Sequence, residues 1–223
     1  MIAKGATQIS KVCLGSNELS KVCLGSTELW SARPPMPYDA EVEYIESTGT
    51  QWLDTGITTT NGILMEYYGA MAGNTAAPIV GSWVSASTRI GIYKYNAYNI
   101  AAWKNSTVKY IRVSPKDNTF YDVSFDTRGT SFILTWNGTE RENSTTSDAF
   151  SSTSSIKVFF NDLNSSIVPG KMKTLKLTDS NGDVVFNAKA VRIGQAGYLY
   201  DSISQTLLGS ETADAFAVGT DIG

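Results

Sequence analysis

FYDVSFDTRGTSFILTWNG, residues 120–138, holds two short runs of strand-forming residues, 120–125 and 131–136, and ends on Asn137-Gly138. Val, Phe, Ile, Thr and Trp suit a pleated surface. Asn-Gly is the pair a type I′ hairpin needs, because both central residues must take positive φ. Outward from this hairpin the text from Asp39 onward reads as strand after strand, with no helical period. The expected strands are 42–46, 51–57, 63–68, 79–84, 89–95, 99–103 and 108–113 before it, and 156–161, 172–178 and 184–191 after it, with short pieces near Tyr198, Leu207 and Phe216. Asn181-Gly182 is expected to form a second turn of the same kind. Residues 142–155, nearly all Ser, Thr, Asn and acidic, are expected to form a long exposed loop. Many short strands without intervening helices imply an all-β protein, an antiparallel sandwich or barrel rather than a parallel α/β sheet.

Composition narrows the function. Of 223 residues, 42% are hydrophobic, 11% aromatic and only 17% charged, against about 25% charged in typical soluble domains. The surface is therefore largely Ser, Thr, Asn and Gly. A formal charge of −3 offers no basic stripe for phosphate backbones, so no nucleic acid is expected as partner. No run of about 18 apolar residues is present, so no membrane insertion is expected. The opening MIAKGATQIS has no apolar core of a signal peptide, which predicts synthesis in the cytoplasm without one. The chain contains no His, which removes the usual general base and the commonest zinc ligand. The expectation is a non-enzyme with no catalytic residue, metal or cofactor.

Residues 9–30 carry a tandem repeat, ISKVCLGSNEL then LSKVCLGSTEL, followed by Trp30. Each copy places Gly-Ser between short alternating runs, as a two-residue hairpin turn requires. Cys13 and Cys23 occupy the same repeat position and read as small apolar side chains rather than a disulfide framework. Val12 and Leu14 share one strand face, as do Val22 and Leu24. Strands this short cannot bury a face alone, so Val12, Leu14, Val22, Leu24 and Trp30 are candidate anchoring residues. SARPPMPY, 31–38, holds three of the six prolines, the signature of a stiff spacer. The expected organisation is an arm, 1–31, for anchoring or oligomerisation, a linker, 32–38, and a sandwich, 39–223.

Three stretches could carry chemistry. EVEYIE, 41–46, looks like the carboxylate cluster of jelly-roll endoglucanases, where two carboxylates stand roughly 5 Å apart. Glu46, however, falls on the opposite strand face from Glu41 and Glu43, and a solvated edge strand is the stronger reading. DSNGD, 179–183, offers oxygen ligands but lacks the later bidentate Glu of a calcium loop, and reads as a turn. RIGIYKYNAYNIAAW, 89–103, is the candidate ligand surface. Tyr93 and Tyr95 share a face, with Ile90 and Ile92 on the other, and Tyr98 and Trp103 lie close by. Such rings stack on sugars or anchor protein contacts, although cross-strand packing would also account for them.

YIESTGTQWLDTGI, 44–57, resembles the opening strand pair of concanavalin A-like (laminin G-like) domains of bacteriophage and prophage virion proteins, especially those of gut bacteria. VRIGQAGYLYDSISQTLLGSETADAFAVGTDI, 191–222, resembles their ending, and 120–138 their middle hairpin. The repeat is similar to a leader preceding such domains. The sequence departs from the usual ending at Lys189-Ala190-Val191, where a Pro-containing strand is usual. The resemblance implies an all-β, antiparallel jelly-roll β-sandwich and a virion-surface protein, as capsid decoration, head fibre, or tail fibre or tip. Its arm would dock on other virion proteins, and its sandwich would face outward toward host glycans. It also implies a homo-oligomer, with a trimer as first expectation, and supplies no shared catalytic residue. The alternatives are a stand-alone carbohydrate-binding lectin and, less favoured, a glycan hydrolase using Glu41 and Glu43.

Overall fold

In this computed structural model the described residues are 36–71, 77–146, 149–161 and 166–222, with the strand backbone of 13–14, 17–18, 21–24 and 27–31. The chain divides into two compact units, Met1–Pro37 and Tyr38–Gly223. In the first, each copy of the repeat pairs with itself: β1 (Cys13–Leu14) with β2 (Asn17–Glu18), and β3 (Lys21–Leu24) with β4 (Thr27–Ser31). Cys13 faces Glu18 and Leu14 faces Asn17, and ten residues later Cys23 faces Glu28 and Leu24 faces Thr27. The same sequence thus gives the same register twice. Beyond it Val22 faces Trp30, so Leu29 is the extra residue of a bulge. Val12 and the two Gly-Ser turns lie outside the described residues, as do the side chains of Leu14, Val22, Leu24 and Trp30.

The second unit is an antiparallel sandwich, and among the described residues there is no helix. Its larger sheet runs β15 (Thr139–Thr145), β14 (Ser131–Trp136), β13 (Phe120–Asp126), β8 (Leu64–Met71), β19 (Pro169–Thr178), β20 (Val184–Ile193), β21 (Ala196–Asp201) and β22 (Thr206–Leu208). β6 (Ile45–Thr48) joins it between β19 and β23 (Ala217–Val218), and β5 (Ala40–Glu41) pairs with β20. The smaller sheet runs β12 (Thr107–Arg112), β11 (Asn99–Lys104), β10 (Arg89–Lys94), β9 (Ala77–Trp83), β16 (Lys157–Val158) and β7 (Leu53–Asp54), and β17 (Phe160–Asn161) pairs with β18 (Ser166–Ile167). The chain therefore crosses between sheets after β6, β7, β8, β12 and β15, and returns to the larger sheet between β16 and β19, as in a jelly roll.

Period-two alternation builds the core. Tyr121, Val123 and Phe125 of β13 and Phe132, Leu134 and Trp136 of β14 are all buried, facing Ile90, Ile92, Ile100 and Ile111 of the smaller sheet. Each such side chain contributes about 1.5–3 kcal/mol on burial. Between β14 and β15, Asn137 (φ 48) and Gly138 (φ 71) form the expected type I′ turn. At the second turn only Gly182 has positive φ, so it is not of that type. There the Asp179 carboxylate accepts from the amides of Asn181 and Asp183, each at 2.9 Å.

Three other expectations are corrected. The loop expected at 142–155 is in its first part the edge strand β15, paired with β14. An edge strand needs a neighbour's backbone on one side only, so it does not require an apolar face. The strand expected at 42–46 is interrupted: β5 ends at Glu41 and β6 begins at Ile45. The one expected at 156–161 is broken at Phe159 (φ 61). This turned backbone drops the Phe159 ring into the core beside Gly170, where an added Cβ would lie 2.7 Å from it.

Two buried lysines stand at opposite ends of the inward rows of β10 and β11. Lys94 reaches Asp117 at 3.2 Å. Lys104 donates to the carbonyls of Gly129 and Ser131 at the start of β14, in the facing sheet. Burial pushes the Lys104 amine down from 10.5 to about 8, against the opposing pull of Asp126. Between these values the unfolded chain holds more protons than the folded one, so this group's contribution to stability rises with pH from about 8 upward and is lost as pH falls to 8. Denaturant unfolding at pH 7 and pH 9.5 should show wild type gaining on Lys104→Met at the higher pH; an unchanged difference contradicts the shift.

Candidate functional site

β10 turns Ile90, Ile92 and Lys94 into the core, so Arg89, Gly91 and Tyr93 face outward. Register extends this face across the smaller sheet. Arg89 lies opposite Trp83 of β9, Gly91 lies between Gly81 of β9 and Trp103 of β11, and Tyr93 is opposite Ala101, itself opposite Tyr110 of β12. Directly opposed residues share a face, so these rings form one aromatic surface.

The two facing glycines make room for an indole. A Cβ on Gly91 would stand 2.8 Å from Cζ2 of Trp83 and 2.5 Å from the Val80 carbonyl, and one on Gly81 would stand 2.2 Å from the Ile90 carbonyl. Trp83 lies against this trough with its ring edge-on to Tyr93 at 5.9 Å, and is only 2% exposed despite facing outward. The Arg89 guanidinium lies 3.6 Å above the Trp103 ring. Toward the β10–β11 hairpin, Tyr95 packs on Tyr110 at 4.6 Å and Arg112 lies 5.9 Å from the Tyr98 ring. Tyr95, Tyr98 and Tyr110 are 45%, 60% and 53% exposed.

The electrostatics of this face are one-sided. The outward residues of β10, β11 and β12 include Arg89 and Arg112 and no acidic residue. Burial pulls the Arg89 guanidinium below its ordinary range, opposed by Tyr110. Among the described residues the buried Nε1 of Trp83, Nε1 of Trp103 and Nε of Arg89 have no hydrogen-bond acceptor. Burial also raises the Tyr93 hydroxyl above its usual range.

The structure thus brings Tyr93, Tyr95, Tyr98 and Trp103 to one side of the sheet. Arg89 stands on the same face by the alternation of β10, and Trp83, Tyr110 and Arg112 join them through cross-strand register, which a linear reading does not reveal. Tyr110 carried one signal, its alternation with the buried Ile111.

The other candidates are committed elsewhere. Glu41 accepts hydrogen bonds from Lys189 and from the Tyr38 hydroxyl, and Glu46 lies 3.8 Å from Lys171. Glu43 is exposed beside a depression of about 190 Å³ lined by Tyr44, Tyr68, Phe120 and Lys173. Asp179 is occupied by its own turn, and among the described residues no group of three or more His, Cys, Asp or Glu could hold a metal.

The fold is an all-β, concanavalin A-like jelly-roll sandwich. Among solved structures the chain is similar to a proposed carbohydrate-binding protein from Bacteroides ovatus, with TM-score 0.58 and 11% identity over 86% of this chain and 63% of that one. This chain thus spans under two thirds of that protein's length, and the likeness is one of fold. A weaker similarity, TM-score 0.44 at 11% identity over 68% of this chain and 75% of the other, is to a native heptameric SAP-like pentraxin from Limulus polyphemus. No family model and no curated protein matches the chain.

Proposed function

We propose that the sandwich is a carbohydrate-binding domain whose ligand lies along the outer face of β9 to β12. The observation that carries this reading is the row of exposed rings, Tyr95, Tyr98 and Tyr110, continued by the partly exposed Trp103 on a rigid sheet. Rings fixed on strands cost little conformational entropy on binding, and their flat faces match the C–H faces of pyranose rings. An open row suits a polymer chain better than a small molecule, which needs a concave site. The fold shared with the proposed carbohydrate-binding protein of B. ovatus supports the same reading. Testing the full chain on a glycan array should give saturable retention of at least one polysaccharide. No binding to any glycan at millimolar sugar would overturn the reading.

The paired hairpins of the first unit, with the resemblance to phage leaders and sandwiches, support a wider role. The hairpins anchor the chain and assemble it, as a trimer, on a virion surface, and the sandwich presents its aromatic face to host glycans. Light scattering should give a trimer for the full chain and a folded monomer once 1–37 is removed. A full chain that stays monomeric would count against the arm.

A further inference from the structure

We propose that the ligand of the aromatic face is an anionic polysaccharide, held by Arg89 and Arg112 at the two ends of the ring row. This rests on the carbohydrate reading above and names its substrate class.

A charged side chain drawn out of water is normally matched by an opposite charge or fully hydrogen-bonded. Arg89 is partly buried against Trp103, its Nε lacks an acceptor, and no carboxylate pairs with it among the described residues. Stacking on Trp103 holds the guanidinium in the platform but leaves its charge without a counter-ion. A carboxylate or sulfate on the sugar supplies the opposite charge, a group that the guanidinium favours. The sign of the face agrees: the chain as a whole carries −3, yet the outward residues of β10, β11 and β12 carry two arginines and no acid.

Spacing points to a polymer. Arg112 is level with Asn99, whose carbonyl accepts from the Tyr95 amide, so the two arginines are offset by the six residues from Arg89 to Tyr95. At a rise of about 3.3 Å per residue that is roughly 20 Å along the strands. A single acidic sugar meets one of these cations; a chain charged on successive sugars meets both and lies across the rings between them.

The test measures affinity of the full chain for polygalacturonate and its highly methyl-esterified form, and for dextran sulfate and dextran, at 50 and 500 mM NaCl. The expected result is at least about tenfold preference for a charged polymer over its uncharged counterpart, lost at high salt. The two charged polymers separate carboxylate from sulfate. Arg89→Gln and Arg112→Gln should each weaken charged-polymer binding several-fold. Arg112 is exposed, so its variant should melt as wild type does. Equal affinity for charged and uncharged forms, retention only on neutral glycans, or binding indifferent to both substitutions overturns this inference and leaves the carbohydrate reading standing. Retention on no glycan at all overturns both.

Discussion

Gly91→Ala should lower the melting temperature by about 5–10 °C and weaken ligand binding with it. Gly91 has φ 154, and a Cβ there would meet the Val80 carbonyl at 2.5 Å, Trp83 at 2.8 Å and the Gly81 Cα at 2.9 Å. Two of these three contacts are backbone atoms inside a paired ladder, which cannot move without parting β9 from β10. Overpacking of this kind costs about 2–3 kcal/mol, and each kcal/mol moves the melting point of a chain this long by about 2–4 °C. Gly194→Ala is the control: its φ of 58 is also left-handed, but an added Cβ meets nothing within 4 Å. It should cost only the conformational term, about 1–2 kcal/mol. If Gly91→Ala costs no more than the control, the close approach of the two strands under Trp83 is wrong.

Trp103→Ala should give the largest loss of affinity, about thirtyfold, with the fold intact. The indole is part of the platform and also supports the Arg89 guanidinium at 3.6 Å, so its removal takes away a stacking surface and frees the cation together. Truncating an aromatic anchor at the centre of a contact costs about 2 kcal/mol, which is about thirtyfold in affinity. Trp103 is only partly buried and stands outside the core, so thermal melting should change little. Tyr110→Ala, which removes a more peripheral ring, should have a smaller effect. Trp103→Ala with unchanged affinity would move the ligand off this face.

What could be read from the sequence is what local rules decide. The hairpin of β14 and β15 was marked by Asn137-Gly138 because a type I′ turn is specified by its own two residues. The core rows of β10, β13 and β14 were marked by alternation. What could not be read depends on neighbours distant in sequence. β15 is polar along most of its length and is a strand because β14 offers it a ladder. Lys94 and Lys104 resemble surface residues in the text, yet both are buried, with acceptors supplied by later segments at Asp117, Gly129 and Ser131. The site divides in the same way. Arg89, Tyr93 and Tyr95 share a face by period two, and Tyr98 and Trp103 lie close by in the same hairpin. Trp83, Tyr110 and Arg112 join them only once register is fixed, and register is set by the whole sheet.

The most direct test is an NMR titration that follows the assigned indole N–H signals as a retained polysaccharide is added. Trp83 and Trp103 carry buried Nε1 donors without acceptors on the proposed face, whereas Trp52 stacks on Phe160 and Trp136 lies in the core. Saturable shifts are expected at Trp103 and Trp83, with Trp52 and Trp136 unmoved. Shifts confined to Trp52 or Trp136, or none at saturating ligand, would contradict binding on this face.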